Sequence, residues 1–141
     1  MYVLLRAGIW LTAFIELAIG VVATMTPQAF YDYMPWVNLA PPYSEHLIRD
    51  YGAMNLALGL VTVVAATTMD RRMVHTALAA YLLFAIPHLL FHLTHHHNYA
   101  MAQAVGETAA LTFAVLLPVT LLALTWPRPA TATSRSSRRS A

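Results

Sequence analysis

Cysteine and lysine are absent from this chain, and charged residues of either sign are few. Without cysteine, the chain cannot build a disulfide, a cysteine-ligated zinc site, an iron–sulfur cluster or a thiol relay from its own residues. Any redox chemistry therefore needs another carrier. Asp, Glu, Lys and Arg together make up 10% of the residues, against about 25% in soluble domains. Such a composition is typical of a membrane protein.

Hydrophobic residues, by contrast, make up 59% of the chain and are gathered in four long runs. About 20 helical residues cross a hydrocarbon core of about 30 Å, so each run is long enough to span a membrane. The sequence therefore predicts an all-α fold, a four-helix transmembrane bundle in one domain, residues 1–126. We expect its spans at about 3–24, 46–69, 73–94 and 101–126, followed by a disordered Ser/Thr/Arg-rich tail at 127–141.

The arginines predict the orientation of the bundle. Arg6 opens the first run, Arg71 and Arg72 lie between the second and third, and the remaining tail arginines follow the fourth. Because positive residues favour the cytoplasmic side, we expect both termini in the cytoplasm and the loops 25–45 and 95–100 outside. The expected location is the bacterial inner membrane. The tail would bind anionic lipid at about 1 kcal/mol per arginine, and no nucleic-acid role is expected.

The first loop is dense in aromatic residues. We expect them to form a belt at the outer membrane interface, in part as a short helix before Pro35, or alternatively to cover the bundle as a lid. Ser44 is predicted to cap the start of the second span. The aromatic residues are Phe30, Tyr31, Tyr33, Trp36 and Tyr43.

Seven ionisable groups stand at a similar depth in the predicted bundle. A rise of about 1.5 Å per residue places each of them in the outer third of the membrane, although they come from four spans. Polar side chains without partners are costly in hydrocarbon, so the pattern predicts a polar pocket that opens outward beneath the aromatic loop. The seven groups are Glu16, His46, Arg49, Asp50, His88, His92 and Glu107.

Histidines mark the third span. His88 and His92 stand at i and i+4, and together with His95 they share one face of a helix that Pro87 is expected to kink. The i, i+4 spacing lets two imidazoles share one metal ion. The third span is therefore the element around which we expect the pocket to be organised.

A transition metal, Zn, Cu, Fe or Mn, is one predicted occupant, because imidazole and carboxylate are its usual ligands. The carboxylates would complete the ligand set or orient an imidazole. A b-type haem clamped between helices by two histidines is an alternative. The predicted metal ligands are His46, His88 and His92, and the carboxylates are Glu16, Asp50 and Glu107.

A third alternative needs no metal. Arg49 and the histidines would bind a quinone headgroup or an anion, while Asp50 or Glu107 exchanges protons. Glu16, Arg49, Asp50 and Glu107 are thus the candidate catalytic residues, with Arg49 as the cofactor contact. The structural alternative is a hydrogen-bond network that only fixes the register of the helices.

Three features resemble the DoxX-like group of small bacterial membrane proteins. A proline ends the first helix, the loop reads F-Y-x-x-x-P at residues 30–35, and the second helix opens with R-D-x-G-A at residues 49–53. The four-span architecture covers nearly the whole chain. The resemblance implies a role in quinone-linked sulfur oxidation or in a membrane complex that handles oxidative stress.

The sequence thus predicts a metal- or quinone-binding component of a membrane redox system. If it is an enzyme, we expect a membrane oxidoreductase or a metal-dependent enzyme. The face of Gly52, Asn55 and Gly59 is expected to pack closely against another helix, with Asn55 hydrogen-bonding across the interface. The main competing hypothesis is a non-catalytic accessory subunit that binds a partner through this face. A transporter is less favoured, because internal repeats are absent. Assembly into a homo-oligomer or larger complex is expected, since four helices leave much surface facing lipid.

Overall fold

The protein is described here by a computed structural model that covers residues 2–39, 42–96 and 99–125. The predicted tail at 127–141 lies outside the described residues. The elements in chain order are helix α1 (Tyr2–Met25), helix α2 (Pro27–Tyr33), a 3-10 turn (Val37–Leu39), and the helices α3 (Glu45–Thr68), α4 (Arg71–Thr94) and α5 (Met101–Thr125).

Four of these helices are long and apolar enough to cross a membrane. They agree with the four predicted spans to within two residues at each end. Large hydrophobic side chains such as Leu4, Leu83 and Met101 are mostly exposed on the bundle, which suits contact with lipid rather than water. The prediction of an all-helical integral membrane protein is therefore confirmed for the described residues.

Side-chain caps fix where α3 and α4 begin. The Ser44 hydroxyl accepts a hydrogen bond from the Leu47 amide at 3.4 Å, which confirms the predicted cap. Asp70 caps α4 in the same way, accepting from the Met73 amide at 3.0 Å. Such caps satisfy amides that have no partner within the helix. Because Asp70 follows directly on the end of α3, the two helices must run antiparallel as neighbours.

Glycines bring α1 and α3 into close contact. A Cβ built on Gly20 would lie 2.8 Å from the Leu56 backbone nitrogen, and one built on Gly59 would lie 2.7 Å from a Leu17 methyl carbon. Gly52 faces α1 at the same interface. Small residues let two backbones approach in this way. The remaining helices close a ring in which α3 contacts α4, α4 contacts α5, and α5 contacts α1.

This packing corrects the predicted partner surface. The face of Gly52, Asn55 and Gly59 is buried inside the chain against α1, so another protein has no access to it. The Asn55 amide donates to the Tyr51 carbonyl of its own helix at 2.8 Å, whereas a bond across the interface was expected. A stripe of small residues does not by itself distinguish an internal helix contact from an external one.

The half of the bundle nearest Tyr2 and Thr125, which we call the termini end, has an apolar core. Its buried side chains interlock between all four long helices and leave no polar group in the cluster itself. The buried members are Ile9, Ala65, Ala66, Val74, Ala77, Leu78 and Leu121. The opposite half, which carries α2 and the loop between α4 and α5, is called the α2 end.

Two glycines of α1 provide a test of the helix packing. Gly20→Ala places a methyl group against backbone atoms of α3, which cannot move aside, so we expect a loss of about 1–3 kcal/mol. Gly8→Ala meets only the end of the flexible Leu121 side chain, and both substitutions gain the same helix propensity of about 1 kcal/mol. Thermal unfolding in detergent should show Gly20→Ala less stable and Gly8→Ala unchanged or more stable. Equal effects at both sites would contradict the close α1–α3 contact.

Candidate functional site

A cavity of about 830 Å³ lies between the four long helices at the α2 end. Small-molecule sites in proteins typically measure about 300–1,000 Å³. Most of the wall is apolar or aromatic, and the apolar core of the termini end lies beneath it. Ionisable and amide side chains interrupt this wall at a few places: Glu16, Tyr31, Asp50, Tyr51, Asn55, Tyr81, His88, His92 and Glu107.

Glu107 on α5 is the centre of the polar wall. Its side chain is 6% exposed, and its Oε1 atom lies 2.8 Å from His92 Nδ1. Its Oε2 atom lies 3.1 Å from His96 Nε2. The Tyr99 hydroxyl donates to Oε1 at 3.0 Å. Because an ionised carboxylate only accepts hydrogen bonds, these three groups act as donors to it. Such an arrangement holds a carboxylate at the inner wall of a membrane bundle.

Tyr99 connects this carboxyl group to the first loop. Its hydroxyl also lies 3.3 Å from the Trp36 carbonyl oxygen. Burial, followed by the hydrogen bond to Glu107 and the charge of Glu107, raises the pKa of Tyr99 to about 12. The phenol therefore stays protonated at neutral pH and remains a hydrogen-bond donor.

An aromatic wall runs from α3 to α4 beside the carboxyl group. The ring of His88 stacks on Phe84 with centroids 5.0 Å apart and lies 6.0 Å from the Tyr51 ring at an angle of 27°. His92 meets His88 edge to face at 4.6 Å. Rings in such arrangements attract one another beyond their simple burial. The wall offers a flat apolar surface directly next to a hydrogen-bonded imidazole.

The first loop lines part of the cavity. Phe30 is 5% exposed and lines the cavity, as do Trp36 and Val37. Trp36 has a φ of 69°, a conformation that is uncommon for bulky residues, and its ring lies against Gly106, where a Cβ would come within 2.9 Å. The loop thus contributes part of the cavity wall. Tyr33, in contrast, is 84% exposed and points away.

Two predicted site residues lie outside the cavity. The side chain of His46 is 88% exposed and pairs with Asp50 at 3.3 Å. Arg49 pairs with Glu45 at 2.8 Å and donates to the Thr24 carbonyl at the end of α1. Both residues stand in the first turns of α3, where side chains reach the bundle end rather than its interior. Asp50 lines the cavity, as do Glu16, His88, His92 and Glu107.

The predicted metal ligands are not assembled. Within residues 2–39, 42–96 and 99–125, no group of three His, Asp or Glu side chains is arranged so that it could hold a metal ion. His46 is exposed on α3, while the Nδ1 atom of His92 is occupied by Glu107. The predicted haem would be clamped between His46 and either His88 or His92. Because the His46 side chain is exposed on α3, it does not form such a pair.

The sequence did not predict two residues that contribute to the site, His96 and Tyr99. His95 stacks on Phe91 with ring centroids 4.0 Å apart and is exposed, so it does not extend the histidine face. His96 and Tyr99 instead turn back onto α5 and reach its carboxyl group. His97 lies outside the described residues. The sequence gives no signal for this contact, and only the path of the short loop reveals it.

No protein-family model, curated protein or solved structure matches this chain. The function is therefore argued from the geometry of the cavity and its side chains.

Tyr99 gives a pH-dependent signature of the site. Its pKa is raised in the folded protein, so its contribution to stability is complete below pH of about 10 and is lost as the pH rises towards about 12. The alkaline loss of stability should be smaller in Tyr99→Phe. In Glu107→Gln the pKa of Tyr99 should fall but stay above its ordinary value, because burial is its largest cause.

Tyrosinate absorbance measures this directly, with the wild type minus Tyr99→Phe difference isolating one of the seven tyrosines. An unchanged Tyr99 titration in Glu107→Gln would contradict the contact between the two side chains.

Proposed function

We propose that the protein binds a quinone or quinol ring in the cavity at the α2 end and serves a membrane redox system. The observation that carries this proposal is the His92–Glu107 pair. The two side chains lie 2.8 Å apart, and both are largely buried, at 16% and 6% exposure. They stand in the wall of a mainly apolar cavity. A buried imidazole held by a carboxylate is suited to exchanging a proton with a bound ring.

The geometry assigns the two nitrogens of His92 different roles. Nδ1 faces Glu107, which orients the ring and leaves Nε2 for a ligand. A neutral imidazole accepts a hydrogen bond at Nε2 from a quinol hydroxyl, and an imidazolium donates one to a quinone carbonyl. Converting a quinone to a quinol takes two electrons and two protons. His92 and Glu107 would handle the protons, and the electrons would come from a separate carrier, since the chain has no cysteine for a thiol or cluster relay.

The rest of the cavity suits the remainder of such a ligand. The aromatic wall of Tyr51, Phe84 and His88 gives a planar ring a surface for stacking. Apolar side chains from all four long helices would contact an alkyl tail. The resemblance to the DoxX-like group, with its quinone-linked members, favours the same class of ligand.

Tryptophan fluorescence offers a direct test, because Trp36 lines the cavity and quinones quench indole emission on contact. The protein would be reconstituted in lipid nanodiscs and titrated with a short-chain quinone. We expect saturable quenching. Trp36→Phe keeps Trp126 and also Trp10, which is on the exposed surface, and in this variant the saturable part of the quenching should disappear.

The role of His92 in the proposed site can be tested against a control substitution of another histidine, His46. His92→Ala should weaken quinone binding about tenfold, because one ligand hydrogen bond worth about 1.4 kcal/mol is lost. His46→Ala removes the same side chain from an 88% exposed position and should leave binding unchanged. Equal affinities in all three proteins, or quenching that never saturates, would refute the proposal.

A further inference from the structure

Glu16 on α1 is a buried polar group of the cavity that has no hydrogen-bond partner among the described residues. The residue is 1% exposed and lines the cavity. Neither carboxyl oxygen has a hydrogen-bond partner among the described residues. The carboxyl group of Glu107, in the same cavity, contacts three donors. The two acids of the cavity therefore differ in whether the protein itself satisfies their hydrogen bonds.

The neighbours of Glu16 do not satisfy it. Thr62 lies beside the carboxyl group, but its hydroxyl donates to the Leu58 carbonyl of its own helix at 2.9 Å. Tyr81 is also close and is 7% exposed. Among the described residues, those that line the cavity include no lysine or arginine. An unpaired polar group in such surroundings is costly, so it destabilises the empty protein.

Glu16 also lies deeper than the His92–Glu107 pair. It stands nine residues from the end of α1, whereas His92 stands two residues from the end of α4. At about 1.5 Å per residue, the two positions differ by about 10 Å along the bundle. The His92 side chain leans towards the N-terminus of α4, which is the direction of Glu16, and so narrows this gap. The cavity therefore has hydrogen-bonding groups at two depths, the His92–Glu107 pair near the α2 end and Glu16 further in. The aromatic wall lies beside the pair.

We infer that Glu16 binds the second oxygen of the ring whose first oxygen meets His92. The site then selects rings that carry hydrogen-bonding oxygens at opposite ends, over rings that carry one. This inference rests on the proposed function. A protonated Glu16 donates to a carbonyl oxygen, and an ionised one accepts from a hydroxyl, so the contact serves both the quinone and the quinol.

A comparison of two ligands and two proteins tests the contact. The ligands are an alkyl hydroquinone, with ring hydroxyls at both ends, and the alkyl phenol that lacks the hydroxyl assigned to Glu16. Glu16→Leu should weaken binding of the hydroquinone about tenfold and change binding of the phenol less than twofold, since the coupling isolates one pair of groups. Glu16→Gln, which keeps a hydrogen-bonding group, should retain most of the hydroquinone affinity.

Folding is checked on the same samples. Because Glu16→Leu removes an unpaired buried carboxyl group, its melting temperature without ligand should equal or exceed that of the wild type. A marked fall would show that Glu16 has a structural partner and would overturn the inference.

The outcomes separate this inference from the proposed function. If the wild type binds both ligands, and His92→Ala weakens both while Glu16→Leu affects the two ligands equally or not at all, the inference fails and the proposed function stands. If the wild type binds neither ligand, both fail. Only a selective loss of the hydroquinone in Glu16→Leu supports the contact.

Discussion

The cost of a polar group in hydrocarbon is the constraint on which the α2 end of this bundle depends. A carboxyl group there is costly unless donors surround it. Glu107 meets this requirement with donors from the end of α4 and from the short loop that follows it. The position of Glu107 in turn sets the orientation of His92, because the Nδ1 atom of His92 contacts the Glu107 carboxyl group. The chemistry available to a ligand is therefore determined by a hydrogen-bond requirement of the fold.

A cavity exists because the helices do not pack equally. Glycines draw α1 and α3 together along much of their length, and α4 and α5 form the other closely packed pair. At the termini end, Ile9, Leu78 and Leu121 fill the space between the pairs. At the α2 end, large rings such as Tyr51 and Phe84 stand around the space without filling it. The same four helices thus provide a solid core in one half and a ligand-sized volume in the other.

Sequence reasoning was accurate where hydrophobicity and depth determine the outcome. The span limits follow from run length, the cap at Ser44 from side-chain chemistry, and the cavity residues Glu16, His88 and Glu107 from counting residues along each span. Counting residues along a span does not determine how the helix is rotated about its axis or which path a loop takes. His46 was predicted to lie in the pocket but is on an exposed face of α3.

The loop between α4 and α5 contributes site residues that could not be predicted from the sequence. His96 and Tyr99 contribute to the site because the chain reverses tightly enough to return them to α5. Their residue types gave no signal, since a histidine tract at a helix end is more often exposed. The Gly52 stripe raised a related ambiguity: the spacing of small residues indicates that a helix packs there, and only the tertiary structure shows that the neighbour is α1.

The buried acids Glu107 and Glu16 differ in how they affect the stability of the empty protein. Glu107 is stabilised by the chain itself, so it is ready to act as a fixed acceptor whether or not a ligand is bound. Glu16 has no such support and leaves the empty protein less stable than an apolar residue would. Natural proteins keep groups of this kind where a ligand completes their hydrogen bonds, because the free energy missing from the empty state is recovered on binding. The contrast between Glu107, which contacts three donors, and Glu16, which has none among the described residues, is the feature on which the proposed ligand contact rests.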